Sequence, residues 1–461
     1  LALIQSISGI RGTIGGVPGD NLTPVDVVKF SAAYGTWLLS RKRKKVVIGR
    51  DARLSGEMIS SLVSQTLLGM GLDVIDLGLS TTPTVEVAVP LEKAGGGIIV
   101  TASHNPAEWN ALKLLNEKGE FLSADDGAQV IDLARSGDFL FATHLKLGKY
   151  SRAEGYIEKH INQILKSKWV DVPAVRKARF KIAVDAVNST GGIAVPLLLK
   201  KLGVQKIIIL NGEPTGKFAH NPEPLPENLK QLCRTVKKEK CDLGIAVDPD
   251  VDRLAFVQED GKPFGEEYTL VAIADYILQR KPGNTVSNLS STRALRDITE
   301  RRGGIYFAAP VGEVNVVKVM KEQRAVIGGE GNGGVIFPEL HYGRDALLGI
   351  ALFLSHLARS GMKASRLRST YPDYHISKNK IELTPNTDVT GLLEKIKETY
   401  KNEKLTTSDG VKIDFEKTRE WVHLRKSNTE PIIRIYAEST SPSKARALAY
   451  SVMEQIKGFT N

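Results

Sequence analysis

Cysteine is almost missing from this 461-residue chain. Cys233 and Cys241 stand alone, with no second pair, so neither a disulfide framework nor a zinc motif is indicated and a reducing compartment is expected. Aromatic residues are only 6% of the sequence, and the formal net charge of +11 is spread along it rather than gathered into a stripe. A nucleic-acid groove wants concentrated basic charge interleaved with aromatics, so no nucleic-acid partner is expected and an anionic small substrate suits the balance better. Long apolar runs are missing as well. Runs such as 349–354 fall far short of the roughly 20 residues of a membrane span, and no basic-then-apolar leader is expected. The expectation is a soluble cytoplasmic protein, monomer or homodimer, with no membrane partner. The dense run Arg41 to Lys45 follows an apolar-periodic segment and reads as the cationic end of a helix, where it favours the negative pole of the dipole.

What is present points to several domains. Single cores stop growing at about 250–300 residues, so three or four domains are expected here. A β-branched run, a polar turn and a helix-like segment recur from 45, from 180 and from 284, the signature of βαβ units. The tail differs: an amphipathic segment, a turn at Asp409-Gly410, the strands "EWVHLR" and "PIIRIYAES", and a last helix. The fold class read from this is α/β, four domains with boundaries near 150, 255 and 372: 1–150, 151–255 and 256–372 as α/β domains with mixed sheets, and 373–461 as a smaller α+β domain.

Four segments carry chemistry. In "IIVTASHNPAEWNALK" an apolar strand runs into Ser103 and His104, with Lys113 beyond. No G-x-S-x-G elbow occurs in the chain, so a hydrolytic serine lacks its local signature, while hydroxyls and turn amides here could ring an anion. In "DLGIAVDPDVDRLAFV", Asp248, Asp250 and Asp252 alternate after a strand; on extended backbone they would share a face, and three carboxylates so close require a cation, Mg²⁺ by hardness. The spacing imitates an EF-hand, but Arg253 stands where glycine is needed. A phosphatase with Asp248 as nucleophile is the competing reading of the same loop. "VIGGEGNGGVIF" matches G-x-G-x-x-G, yet a strand follows instead of a helix, so a dinucleotide site fails its context; Glu330 and Asn332 are left to bind hydroxyls. In "RKSNTEPIIRIYAE", Arg425, Ser427, Asn428, Thr429 and Arg434 have the makings of a phosphate cradle. "GEPTGKF" at 212–218 is one residue short of a Walker loop and has Phe where Ser or Thr must hold the metal.

Taken in order, "TASHNP", "DPDVDR", "GEGNGG" and "RKSNTEP" resemble the serine, metal, sugar and phosphate loops of the α-D-phosphohexomutase superfamily, and "SGIRG" and "GRDARLSG" resemble further family segments. The resemblance covers the whole chain. It implies four domains around a central cleft, the first three topologically alike. It implies Ser103 as the phosphoserine, with Mg²⁺ held by its phosphate and by Asp248, Asp250 and Asp252, and a hexose 1,6-bisphosphate as activator and intermediate. Arg11 and Lys113 would assist proton transfer, Lys113 through a lowered pKa; Arg253 would contact phosphate, and His104 would orient. The histidine that many relatives carry in the sugar loop is missing from Asn332-Gly333-Gly334, leaving His341 or Tyr342 as possible replacements.

The implied activity is phosphoryl exchange between the 6- and 1-positions of a hexose, with glucosamine phosphate first and mannose or glucose phosphates as the alternative. An Asp-nucleophile phosphatase and a non-catalytic sugar-phosphate binder are the readings from other classes.

Overall fold

The computed structural model describes residues 3–6, 9–383, 388–426 and 432–460. The chain divides into two compact units, one of residues 1–269 and 332–367, the other of 270–331 and 368–461.

The first unit holds two sheets. The larger has seven strands in the order Ile4–Ser6, Gly9–Thr13, Trp109–Leu115, Gly96–Val100, Lys45–Arg50, Asp73–Leu79 and Tyr150–Arg152. Lys45–Arg50 runs parallel to both neighbours, whereas Trp109–Leu115 is antiparallel to Gly96–Val100. Its central strands are buried on both faces, which is why Val46–Val47–Ile48 and Ile98–Ile99–Val100 are continuous apolar runs. The basic run does follow helix Pro24–Ser40, and the Arg41 guanidinium stacks on Trp37. The second sheet places Leu243–Val247 parallel to Lys181–Asp185 and antiparallel to Leu254–Gln258. The apolar run 349–354 lies in helix Ala346–Ser360, a core helix whose Phe353 stacks on Phe256 at 3.9 Å between ring centres. Among the described residues no helix is long and apolar enough to cross a membrane.

In the second unit, Thr285–Asn288 lies between Tyr306–Ala309 and Ile327–Glu330, parallel to both. A five-stranded antiparallel sheet follows, ordered His375–Glu382, Ile432–Ser439, Glu420–Lys426, Val411–Phe415 and Lys404–Thr406. Helices Val389–Thr399 and Pro442–Thr460 cover one face, with Leu392, Ile396, Ala449 and Val452 packed on Val422 and Ile435. This is the α+β tail that the sequence suggests.

The thrice-repeated pattern is real in the backbone. Strands Lys45–Arg50, Lys181–Asp185 and Thr285–Asn288 each lead through a five-residue loop, 51–55, 186–190 and 289–293, into helices Gly56–Gly69, Gly191–Leu202 and Ala294–Arg301. The loops leave the carboxyl ends of parallel strands, the edge at which α/β sheets bind ligands.

Burial in the second unit gives a pH-dependent stability term. Glu438 is fully buried, accepting from the Arg293 N–H at 2.8 Å and the Trp421 indole at 2.7 Å, and that burial pushes its carboxyl up to about 7. An acid whose folded pKa exceeds its unfolded value binds its proton more tightly when folded, so this group costs nothing below about pH 4.5 and progressively destabilises the fold as pH rises to about 7. Glu438→Gln is expected to melt above the wild type at pH 8 and level with it at pH 4.5, as read by thermal unfolding at both.

Candidate active site

The serine loop leaves strand Gly96–Val100, and Ser103 adopts φ +50°, a left-handed conformation uncommon for a residue with a Cβ. Three contacts hold it there. The Ser103 N–H donates to Thr101 Oγ1 at 2.9 Å, the Thr101 hydroxyl donates to Asp51 at 2.7 Å, and the Arg53 guanidinium grips the loop from behind. Arg53 has a fully buried side chain; Nη2 donates to the Ser103 and Asn105 carbonyls at 2.6 Å each, Nη1 to those of Pro106 and Trp109 at 2.6 and 2.8 Å, and Nε to Asp51 at 3.1 Å.

Ser103 Oγ donates to Asp248 Oδ2 at 2.6 Å. Ligand oxygens of Asp248, Asp250 and Asp252 all lie within 4.8 Å of one another, and all three side chains are buried. Their convergence has a different cause from the one expected. The strand ends at Val247, and 248–253 is a turn in which Val251 takes φ +62°; a tight turn, not alternation on extended backbone, points the carboxylates together. The Ser189 and Thr190 hydroxyls donate to the Pro249 carbonyl at 2.7 and 2.8 Å and fix the turn from the second repeated loop.

Cations surround the trio. Lys113 Nζ donates to Asp250 at 2.7 Å and Asp252 at 3.2 Å, Arg344 to Asp252 at 2.7 Å, and the Thr82 hydroxyl to Asp250 at 2.5 Å. Burial, reinforced by Asp252 and Asp250, raises the Asp248 carboxyl well above its ordinary range. Asp252 moves the other way: burial would raise it, but Arg344, Lys113 and Arg253 together hold it well below. Burial also works to lower Lys113, yet Asp250 and Asp252 outweigh it, so its ammonium is held above the usual value. The depressed lysine expected from the sequence is therefore not found; the nearest charges are carboxylates rather than the positive cluster.

His104 comes closer to the serine than strand alternation suggests, with Nδ1 3.4 Å from Ser103 Oγ and Nε2 3.4 Å from Arg253 Nη2. Burial, and then Arg253, press its pKa well below the ordinary value, so it is a neutral hydrogen-bonding ring. Arg253 donates to Glu223 at 2.7 Å. Arg11, in strand Gly9–Thr13, lies in the same field: burial lowers its pKa, Arg253 and Arg344 lower it further, and Asp250 and Asp252 oppose them. Ser103, His104, Lys113, Arg11, Arg253 and the Asp trio thus meet in one unit.

Asn332 belongs to this unit too, its Oδ1 accepting from the Gly334 N–H at 3.1 Å. Beside it Gly333 has φ +86°, and a Cβ there would fall 2.1 Å from the Leu254 carbonyl oxygen, just after the Asp turn. Only glycine fits. Gly333→Ala is expected to destabilise the protein by about 2–3 kcal/mol through backbone strain, measured by denaturant unfolding. His341 does not stand free to replace the sugar-loop histidine, because its two ring nitrogens face Asp345 at 3.3 Å and Glu86 at 3.4 Å.

In the second unit, Glu330 ends a strand and is buried, its Oε1 accepting from Asn288 Nδ2 at 2.8 Å and the Gly312 N–H at 3.2 Å. Arg425 and Arg434 are register partners on adjacent strands, and Arg425 Nη1 lies 3.3 Å from Asp409. Like charges directly opposite one another are unfavourable unless an anion is shared between them. Ser427, Asn428 and Thr429 lie outside the described residues.

Arg53, Thr82 and Arg344 are site-building residues that motif reading passes over. Only Arg53 had a local signal, in the quoted "GRDARLSG".

Family models match in the same order as the four loops. They are the alpha/beta/alpha domains I, II and III of phosphoglucomutase/phosphomannomutase, at residues 3–140, 154–261 and 265–374, and its C-terminal domain at 381–455. The chain belongs to the phosphoglucomutase/phosphomannomutase family. It is 39% identical over 443 residues to a Thermococcus kodakarensis protein named "Phosphoglucomutase/phosphomannomutase", covering 94% of this chain and 95% of that one. It is 34% identical to "Probable phosphoglucosamine mutase" of Methanopyrus kandleri, covering 98% and 97%. A crystal structure of a phosphoglucomutase/phosphomannomutase family protein from Burkholderia thailandensis superposes with a TM-score of 0.84 at 25% identity, covering 99% and 98%. The α/β order of this family member's first three domains and its antiparallel C-terminal domain agree with the fold class read from sequence.

Proposed function

We propose that the protein catalyses reversible phosphoryl transfer between the 6- and 1-hydroxyls of a hexose phosphate, through a phosphoserine at Ser103 and a hexose 1,6-bisphosphate, with glucosamine phosphate as substrate. The observation that carries this reading is the Ser103 hydroxyl 2.6 Å from Asp248, inside a buried carboxylate trio ringed by cations. In transfer to sugar, the Ser103 Oγ–P bond breaks as the free sugar hydroxyl oxygen bonds to phosphorus, and that hydroxyl's proton ends on the freed Ser103 oxygen; the bisphosphate then turns over, and its other phosphate returns to Ser103 Oγ, which gives its proton to the departing sugar oxygen. A loose transition state asks little of a protein beyond positioning and electrostatic stabilisation.

The trio suits a hard divalent cation. Asp250 Oδ1 and Asp252 Oδ1 are buried without a hydrogen-bond partner among the described residues, whereas each residue's other oxygen is held by Lys113. Asp248, Asp250 and Asp252 would hold Mg²⁺, which supplies positive charge at the transferring phosphoryl oxygens. Lys113 and Arg11 act as cations in this arrangement, Arg253 binds phosphate, and His104 orients the serine oxygen. Within the second unit Glu330 is suited to hydroxyls and the paired Arg425 and Arg434 to a phosphate, and within the first Asn332 is suited to a hydroxyl. Chelation followed by gel filtration is expected to lower kcat by at least about a hundredfold, restored by Mg²⁺, in a steady-state assay. No restoration would remove the metal role.

Asp248 is poorly placed to be a phosphatase nucleophile. Its Oδ2 accepts from Ser103 while its Oδ1 accepts from the N–H groups of Asp252 and Arg253 at 3.1 and 3.0 Å. Glucose or mannose phosphate as substrate is the second reading, favoured by the name of the Thermococcus relative. Side-by-side kinetics with glucosamine, glucose and mannose 6-phosphates assigns the sugar. The highest kcat/KM should fall to glucosamine 6-phosphate, and turnover of none would reject the mutase.

A further inference from the structure

Outside the serine site, four acid and imidazole side chains meet within the first unit. His160 comes from helix Tyr156–Lys166 and Glu86 from helix Thr82–Leu91; His341 and Asp345 flank the turn into helix Ala346–Ser360. His160 and Asp345 are fully buried and Glu86 is 1% exposed. Asp345 Oδ2 lies 2.9 Å from His160 Nε2 and 3.3 Å from His341 Nε2, and donor atoms of the three residues all fall within 4.8 Å of one another. Bonds of about 2.0–2.1 Å at tetrahedral angles place neighbouring ligand atoms about 3.3 Å apart, so the spacing suits a small dication.

The opposite edges of the rings support the same reading. His160 Nδ1 is 3.1 Å from Thr84 Oγ1, and His341 Nδ1 is 3.4 Å from Glu86 Oε2. Burial works to lower His341, but Asp345 and Glu86, facing its two nitrogens, outweigh it and raise the ring to about 10, so a metal at Nε2 has to displace a proton there while Nδ1–H stays directed at Glu86, the carboxylate–histidine arrangement that orients imidazole ligands. Apart from this ionic contact, both Glu86 oxygens are buried without a hydrogen-bond partner among the described residues. Gly343 leaves the room for it: a Cβ there would sit 1.9 Å from Glu86 Oε2.

We propose that His160, His341 and Asp345 form a second divalent-metal site of zinc type, with Glu86 and Thr84 orienting the imidazoles. A two-nitrogen, one-oxygen donor set selects Zn²⁺ or Co²⁺ over Mg²⁺, so the chain sorts two metals by donor chemistry. Three protein ligands leave one position for a solvent molecule. The site is a brace: it ties the helix whose Thr82 holds Asp250 to the turn whose Arg344 holds Asp252.

The test uses full-length protein stripped of metal and returned to excess Mg²⁺, then titrated with Zn²⁺ and, separately, Co²⁺. One equivalent of Zn²⁺ should survive gel filtration by elemental analysis, and Co²⁺ should develop the intense visible bands of a tetrahedral site. His341→Gln and His160→Gln should each weaken binding at least about tenfold, and Glu86→Gln about tenfold through orientation. Retention of the equivalent by both histidine variants would overturn the assignment. So would a wild type that binds no Zn²⁺ and gives no tetrahedral Co²⁺ spectrum, in which case protons occupy the two Nε2 atoms and the cluster is a hydrogen-bonded brace only. The wild-type cobalt spectrum decides even where a variant fails to fold.

Discussion

Ser103→Ala is expected to lower kcat/KM by about a thousandfold or more while leaving the protein folded. The hydroxyl is the atom that must carry the phosphoryl group, and nucleophile deletions remove the pathway rather than weaken it. The structural loss is small, being the hydrogen bond to Asp248 and the longer contact with His104. Alanine keeps the backbone contacts, since the Ser103 N–H still meets Thr101 and its carbonyl still meets Arg53. Thermal unfolding of the variant should therefore stay within a few degrees of wild type, and circular dichroism should match. Residual turnover above a few per cent would mean that Ser103 is not the carrier.

Arg53→Met is expected to be the most destabilising single change near the site, by about 3–5 kcal/mol, because it strands Asp51 as an uncompensated buried charge. Four loop carbonyls lose donors at the same stroke. Ser103 is held in a left-handed conformation by this grip, so the loop should also relax and kcat fall with stability. Arg53→Lys should recover only part, because a single ammonium cannot span Asp51 and four carbonyls in the fork geometry of a guanidinium. Denaturant unfolding and steady-state kinetics on both variants read these outcomes. A Met variant as stable as wild type would show that the grip is ornamental.

How much of this was legible depended on range. "TASHNP" and "DPDVDR" announce themselves, since a hydroxyl and three carboxylates at strand ends are costly arrangements with few uses. The repeated loops 51–55, 186–190 and 289–293 were visible as a recurring strand, turn and helix. The cause of the Asp convergence was not, because a left-handed Val251 carries no composition signal. Arg53 reads as an exposed cation in sequence, and only the folded loop reveals that it is buried among carbonyls. The Thr82 contact to Asp250 and the Arg344 contact to Asp252 join segments far apart in the chain, as does the pairing of His160 with Asp345; no spacing rule reaches that distance. The sign of the Lys113 shift failed for the same reason, since it depended on which charges the fold would place nearest.

The central claim is that a phosphoryl group travels on the Ser103 oxygen beside the aspartate trio. Its most direct test is brief incubation of the purified protein with glucose 1,6-bisphosphate and Mg²⁺, acid quench, intact-mass measurement and peptide mapping. A single added phosphate on Ser103, lost on chasing with hexose 6-phosphate, is the predicted result. Phosphate found on Asp248, or a Ser103 phosphate that does not chase into sugar, would contradict it.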